Sequence, residues 1–298
     1  MSLTSMLRIP EVHEKFKTTF PKPKFQVKKD IIAPPLTTNY PIVGQAFDYF
    51  LRFHLKQKFP ESIYGDERWI AELGLETLKL NNFDLRLYKE AKSIVDSAKK
   101  AYSDFLITGN NSSELAEYCI LLAKIDLFFR TGDRAAPHTI QELRDIDERD
   151  TKDLLNLISI VPFDQFKPEI GMMTNPTFGF GSQIVGGADV DLILDNTIID
   201  IKTTKNLKLV PNDWYQIIGY HILYDIDILD AMVSMRRVPY PGAPKIFIDK
   251  VGIYFSRHGY LFTTEIDPID PKTREKFIDW LKDKGDELYG WRNQRKEN

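Results

Sequence analysis

Residues 186–205 read GGADVDLILDNTIIDIKTTK, and in this segment two apolar runs stand on either side of a polar pair. The pair is Asp195-Asn196, and both residue types tolerate the positive φ of a tight hairpin turn. A two-residue loop at this position places Leu194 opposite Thr197. The segment therefore predicts an antiparallel β-hairpin with a defined register.

The register determines which charged side chains share one face of the hairpin. Pairing continued outward from the turn places Asp191 opposite Asp200 and Asp189 opposite Lys202. Directly opposed residues have Cβ atoms about 4.5–5.5 Å apart, where two like charges destabilise each other. A bridging cation removes this repulsion, and carboxylate oxygens suit Mg²⁺ or Mn²⁺. Even register shifts keep both aspartates on one face, whereas odd shifts separate them.

This set of side chains supplies what phosphodiester hydrolysis requires. A metal held by Asp191 and Asp200 would lower the pKa of a bound water and neutralise charge on the phosphate. Lys202, two residues beyond Asp200, would orient that water or stabilise the transition state. The alternative is a solvated hairpin face on which Asp189 pairs with Lys202 and the other aspartates face water.

The tripeptide Asp-x-Lys is not specific by itself. The chain contains three further acidic-x-Lys matches: Glu90-Ala91-Lys92, Asp150-Thr151-Lys152 and Asp270-Pro271-Lys272. Only Asp200-Ile201-Lys202 ends a strand that a short turn joins to a second carboxylate-bearing strand. The context of the tripeptide therefore carries the prediction.

A helix is expected after the hairpin, from about residue 212 to 224, with Asn212 and Asp213 as its cap. Gln216 and Tyr220 stand four residues apart, so they lie on one side of this helix. A glycine before an acidic strand, the Asp-x-Lys strand and Gln-x-x-x-Tyr on the next helix follow in this order. The order resembles the RecB-like exonuclease branch of the PD-(D/E)XK nuclease superfamily over residues 186–224, and more faintly over 43–49.

The resemblance implies a restriction-endonuclease-like α/β core, a mixed sheet flanked by helices, and a metal-dependent nuclease. It implies Asp191, Asp200 and the Ile201 carbonyl as ligands of Mg²⁺ or Mn²⁺, and Lys202 as the catalytic lysine. Gln216 and Tyr220 would then position DNA, single- or double-stranded, or the catalytic side chains. On their own, these two residues are equally typical of a helix surface amide and a half-buried tyrosine.

Other candidates for the site are less decisive. In the segment 43–49, Asp48 stands where several such enzymes have a metal-binding histidine, and His54 is expected at the surface or in packing. An additional upstream acid is common in such sites. We rank Glu169 above the other two acids considered, Glu117 and Asp153, because Glu169 is expected on the strand before the hairpin. Two lysines beyond the catalytic strand are candidate phosphate contacts, although solvated surface is their usual role: Lys205 and Lys208.

Composition limits the other classes of function. The 40 Lys and Arg residues against 43 Asp and Glu give a formal charge of −3, so nucleic acid must contact a local basic surface. The one cysteine, Cys119, lies in an apolar run and is expected in the core. One cysteine and no closely spaced histidine pair argue against zinc. No apolar stretch is long enough for a membrane span, so we expect a soluble, cytoplasmic protein.

The chain divides into three parts by residue composition and hydrophobic pattern. Residues 1–41 hold six prolines and are expected to form an extended arm. Residues 42–160 show helical spacing from Val43 and around 67–80, 84–108, 113–130 and 139–160, which predicts a helical subdomain that includes the first core helix. Residues 161–298 are expected to form the nuclease core, with strands at 228–236 and within 246–266 and a closing helix over 272–289.

A second function remains open from the sequence. The same fold and acidic face would also serve a DNA-binding or assembly module without catalytic activity. That module has no need of opposed aspartates, and its binding would not depend on metal.

Overall fold

The structure, a computed structural model, describes residues 2–64, 68–81, 84–110, 112–131, 134–233, 247–266 and 269–294. These residues form a six-stranded, open, mixed sheet with helices packed on both of its faces. The prediction of an α/β protein with a mixed sheet flanked by helices is confirmed at this level.

The strands lie in the sheet in the order in which they occur in the chain. The pairs β1–β2 and β4–β5 are parallel, and the other neighbours are antiparallel. The predicted hairpin is β3–β4 in the middle of the sheet, and residues 246–266 supply β5 and β6 as expected. The bounds are β1 Ile63–Tyr64, β2 Met172–Thr174, β3 Leu192–Leu194, β4 Thr197–Lys202, β5 Lys250–Phe255 and β6 Tyr260–Glu265.

The helices occupy most of the first half of the chain and the regions around the hairpin. Their bounds are α1 Leu3–Met6, α2 Pro10–Thr19, α3 Tyr40–Lys58, α4 Ile70–Leu80, α5 Leu85–Thr108, α6 Ser112–Arg130, α7 Ile140–Arg144, α8 Glu148–Ser159, α9 Gly179–Ile184, α10 Pro211–Val233, α11 Pro271–Tyr289 and α12 Trp291–Gln294. Short 3₁₀ turns lie at Pro60–Ser62, Phe163–Phe166 and Ser256–His258. Within the described ranges, no helix combines the length and apolar character needed to cross a membrane.

The helical periodicity of the first half corresponds to α3 to α6, and the closing helix corresponds to α11. The single helix expected over 139–160 is divided into α7 and α8. The break has a local cause, because the Asp147 side chain accepts a hydrogen bond from the Arg149 amide and so starts a new helix. A cap within the expected helix therefore divides it into two.

The prediction of an extended arm over residues 1–41 is wrong at its start. Helix α2 begins at Pro10, a position where the missing amide of proline costs nothing because no intrahelical acceptor is available there. Leu3, Met6 and Phe16 are fully buried against the rest of the chain, so packing stabilises both short helices. Residues 20–39 contain neither helix nor strand and match the expectation.

The strand expected at 228–236 is also wrong. Helix α10 continues to Val233, nine residues beyond its predicted end, and residues 234–236 lie outside the described part of the chain. A short apolar run has no periodicity that separates a strand from a buried helix. Ile226 and Ala231 are buried on this last part of α10, which explains the apolar run as a helix face.

Two hydrophobic cores lie on the two faces of the sheet. The first core is formed by α3 to α8 and one face of the sheet. The second core is formed by α1, α2, α9 to α11 and the opposite face. In β4, Ile199 belongs to the first core and Ile198 to the second. Side chains alternate along a strand, so Asp200 and Lys202 emerge on the face that α10 covers.

Candidate active site

The hairpin has the register that its turn predicted. Leu194 pairs with Thr197, Ile193 with Ile198 and Leu192 with Ile199. Asp195 adopts φ of 52°, the left-handed conformation expected of the first turn residue. Its carboxylate also accepts the backbone amides of residues 169–171, which fixes the turn against the segment before β2.

Beyond Leu192 the chain leaves β4 and turns towards β2, so the register does not continue outward. The Asp191 carbonyl accepts the Asn175 amide at 2.9 Å, and Asp189 forms a bridge with Thr177. The predicted pairing of Asp189 with Lys202 is therefore wrong. The Asp189 carboxylate lies instead 3.7 Å from the guanidinium of Arg130.

Asp191 nevertheless reaches the end of β4 through its side chain. Its Oδ2 atom accepts the Ile201 amide at 2.5 Å. Burial raises the pKa of Asp191 well above its usual range, and the nearby charges of Asp200 and Asp48 raise it further. Asp191 and Asp200 thus form the repelling carboxylate pair that the sequence predicted, although no ladder pair joins them.

Lys202 is the cation that offsets this negative charge. Its Nζ atom lies 2.8 Å from Asp200 Oδ2 and 3.7 Å from Asp213 Oδ1, and it donates to Gln216 Oε1 at 3.0 Å. Burial lowers the pKa of the ammonium, but the carboxylates of Asp200 and Asp213 outweigh that effect and raise it. Lys202 is therefore held in its charged form at neutral pH.

Helix α10 links Lys202 to Tyr220 through one hydrogen-bonded chain. Gln216 accepts from Lys202 through Oε1 and donates through Nε2 to the Tyr220 hydroxyl at 2.7 Å. The tyrosine ring stacks on Phe178, with ring centroids 5.6 Å apart. Burial raises the pKa of Tyr220, as does the charge of Asp200, so its hydroxyl keeps its proton. The predicted pair thus orients the lysine.

A cavity of about 270 Å³ opens onto these side chains. Besides Asp191, Asp200 and Lys202, its wall includes Gln216 and Tyr220 from α10. The Ile201 backbone and Asp48 from α3 complete the set of predicted residues that it gathers. A strand residue directs its amide and its carbonyl to the same side. The Ile201 carbonyl therefore faces the same side as the amide that Asp191 accepts.

The donor atoms at this cavity fit a hard divalent cation. Asp48 Oδ1 is buried and has no hydrogen-bond partner in the described structure, while Asp48 Oδ2 is bound by Arg52 at 2.7 Å. Within the described ranges no three His, Cys, Asp or Glu side chains are already gathered as a metal cage. Mg²⁺ does not require such a cage, because it commonly binds one or two carboxylates and keeps several waters.

The structure does not bring the other candidates to the cavity. Glu169 is exposed before β2 and lies at the turn end of the hairpin, where its amide binds Asp195. The turn is four residues from Asp200, or roughly 13 Å along the strand. Glu169 is therefore displaced from the site because the strand that was expected to carry it begins only at Met172.

The two lysines proposed as phosphate contacts also lie outside the cavity. Lys205 donates to the Tyr40 hydroxyl at 2.6 Å and lies over its ring. Lys208 lines a separate groove, together with Lys28 and Lys29 from the segment between α2 and α3. This set of three exposed lysines is called the lysine groove below.

Four further residues named in the sequence analysis lie outside the cavity. The ring of His54 packs against Phe50 and Phe105, which confirms the expectation of packing. The other three are Asp153, which forms a buried ion pair with Arg257, Cys119, which is fully buried in the first core, and Glu117, which is exposed on α6.

Sequence reasoning missed two charged residues of the site. Asp213 was interpreted only as a helix cap, although its place three residues before Gln216 puts both on one side of α10. Arg130, at the end of α6, lines the cavity and carries no local motif.

Comparison of the chain with models of protein families, with curated proteins and with solved structures gives no match.

Proposed function

We propose that this protein is a nuclease that hydrolyses DNA phosphodiester bonds with Mg²⁺ or Mn²⁺, and that its sheet and helices form a PD-(D/E)XK nuclease core. One observation carries the proposal. Side chains from α3, from the hairpin and from α10 meet in a single cavity, and they include Asp191, Asp200 and Lys202.

Two carboxylates and a main-chain carbonyl would hold the metal: Asp191, Asp200 and Ile201. Such an ion supplies a water of lowered pKa and a positive charge for the phosphate oxygens. Asp48 has one buried oxygen without a hydrogen-bond partner among the described residues, and it is a further oxygen donor on the same wall. Burial raises the pKa of Asp191, and the charge of Asp200 raises it further, so a divalent cation would favour the ionised form of Asp191 beyond what Lys202 does.

Lys202 has the role of a fixed positive charge. An ammonium with a raised pKa is a poor general base, so Lys202 would stabilise the negative charge that develops on the phosphate. Gln216 holds this ammonium in place, and Tyr220 holds Gln216. The hydrogen-bonded chain is therefore a device for orienting the lysine.

The test is a cleavage assay with purified protein on linear and circular DNA, each single- and double-stranded, with Mg²⁺ or Mn²⁺. Wild-type protein should cleave, and Lys202→Ala should lose at least about a hundredfold in kcat. Lys152→Ala is the matched control, because Lys152 belongs to another Asp-x-Lys tripeptide and is exposed outside the cavity. A parallel RNA substrate reports the type of nucleic acid.

The outcomes separate the two functions. Cleavage that survives Lys202→Ala comes from a contaminant and does not support the proposal. A folded protein that binds DNA without metal, does not cleave it, and binds equally well after Asp191→Ala and Asp200→Ala is the non-catalytic module. Cleavage of circular DNA rules out an exonuclease that requires an end.

A further inference from the structure

Among the described residues, two cationic side chains line the cavity, Lys202 and Arg130. The Lys202 ammonium already has two partners, because Asp200 and Gln216 both lie within hydrogen-bond distance of it. Arg130 stands on another wall of the cavity, at the last residue of α6. Its side chain is 36% exposed and forms part of the cavity wall.

Two carboxylates lie near the Arg130 guanidinium. Its Nη2 atom lies 3.7 Å from Asp189 Oδ2, and its Nε atom lies 3.9 Å from Asp126 Oδ2. Both distances exceed that of a hydrogen bond, so among the described residues these carboxylates attract the guanidinium without accepting a hydrogen bond from it. Asp126 is fully buried, whereas Asp189 also lines the cavity.

We propose that Arg130 binds a phosphate group of the nucleic-acid substrate, which takes the place of the weak contact with Asp189. The inference rests on the proposed nuclease function and names a binding residue for it. A guanidinium presents several donors in a planar fork that matches two phosphate oxygens, which a single ammonium does not. A phosphate on Arg130 would displace the weak contact with Asp189 and leave the buried contact with Asp126.

The location of Arg130 explains what such a contact would do. The cavity wall carries Asp48, Asp189, Asp191 and Asp200 against two cations, so an anionic backbone is repelled until a divalent cation is bound. A phosphate one step along the strand from the scissile bond then needs a cation of its own. Arg130 lies on the helical layer and not on the hairpin, so it can contact a phosphate other than the one at the carboxylate pair.

The experiment measures binding and turnover separately, with a short fluorescent single-stranded oligonucleotide in Mg²⁺. The Kd is measured by anisotropy in a Lys202→Ala background, where the substrate persists, and KM and kcat are measured in the otherwise wild-type chain. Arg130→Lys keeps the charge near Asp126 but loses the fork, and Asp189→Asn removes the competing carboxylate. Arg144→Lys, an exposed and ion-paired arginine outside the cavity, is the matched control.

Arg130→Lys should raise Kd and KM about tenfold with kcat changed less than about threefold, and Asp189→Asn should lower both constants severalfold. Unchanged Kd in Arg130→Lys overturns the inference, as does a Kd change that Arg144→Lys shares. Absence of cleavage by the wild-type chain refutes the nuclease function alone. Loss of oligonucleotide binding in Arg130→Lys would still support the arginine contact in that case.

Discussion

Lys202 Nζ lies 2.8 Å from Asp200 Oδ2, so the ammonium occupies one edge of a carboxylate that is also a candidate metal ligand. A metal ion held by Asp200 would therefore share this carboxylate with the ammonium and be repelled by it. In the proposed nuclease, the lysine would lie next to the reacting phosphate but would weaken the attraction of the site for a metal. Replacement of Lys202 by an uncharged residue should therefore strengthen metal binding and weaken catalysis.

Lys202→Met should therefore bind Mn²⁺ about tenfold more tightly than the wild-type protein, while it loses cleavage. Isothermal titration gives the Kd, and thermal unfolding with saturating Mn²⁺ gives an independent measure, since a ligand at a hundred times its Kd stabilises by about 2.7 kcal/mol. Asp200→Asn should abolish the Mn²⁺ effect in both measurements. Weaker Mn²⁺ binding by Lys202→Met would contradict the shared-carboxylate arrangement.

Gln216→Ala should lower kcat by about ten- to a hundredfold and leave KM nearly unchanged. The amide accepts a hydrogen bond from Lys202, so its removal leaves the ammonium to Asp200 and Asp213 and should misplace it in the transition state more than it affects substrate binding. Tyr220→Phe removes only the acceptor of Gln216 Nε2 and should give a smaller loss of kcat. Steady-state kinetics distinguishes this positioning role from direct DNA contact, in which KM would rise instead.

The lysine groove is expected to follow the nucleic-acid backbone outside the cavity. Each phosphate contact changes the slope of log K against log salt by about 0.9 for duplex DNA and about 0.7 for a single strand. Replacement of Lys28, Lys29 and Lys208 by Gln should therefore flatten the slope by about 2.7 or about 2.1, respectively. Binding titrations at several salt concentrations report the number of contacts.

A matched set of three exposed lysines lies on the surface of α5, away from the groove: Lys89, Lys92 and Lys100. Their replacement by Gln makes the same change in net charge. An equal flattening in this control would show that only total charge matters and would exclude a specific path along the lysine groove.

Local chemistry explains which parts of the molecule follow from sequence. The turn at Asp195-Asn196 sets the hairpin register through the backbone alone, so the positions of Asp200 and Lys202 on β4 were predictable. The direction of the chain before Leu192 depends on its pairing with β2, which is a tertiary contact. The partner of Asp189 could therefore not be predicted from the sequence. Arg130 comes from α6, a distant helix, and no local pattern marks it as part of the site.

His54 should make the fold sensitive to acid. Burial lowers the pKa of this ring to about 4, and the charge of Lys58 lowers it further in the same direction. Above about pH 6.5 the ring is neutral in both folded and unfolded chains. Below that pH the unfolded chain takes up a proton that the folded chain refuses, so stability falls by at most about 1.4 kcal/mol per pH unit until about pH 4.

His54→Leu should remove this proton uptake and flatten the decline of unfolding free energy between pH 6.5 and 4. Urea unfolding at a series of pH values measures it. His138→Leu, at an exposed position, is the control and should retain the wild-type slope. A slope in His54→Leu equal to that of the wild-type protein would place the acid sensitivity elsewhere.

Gly44 lines the cavity from α3, and in the described part of the chain a Cβ atom there would meet Thr203 Cβ at 3.8 Å and nothing nearer. Gly44→Ala should therefore leave the fold intact and stabilise the helix by up to about 1 kcal/mol. Gly44→Leu should extend into the cavity and lower kcat/KM about tenfold without lowering the melting temperature. Gly74→Ala is the opposite case, because its Cβ would lie 2.3 Å from the Ile125 carbonyl oxygen and force α4 from α6. Unimpaired cleavage by Gly44→Leu would show that substrate does not enter this cavity.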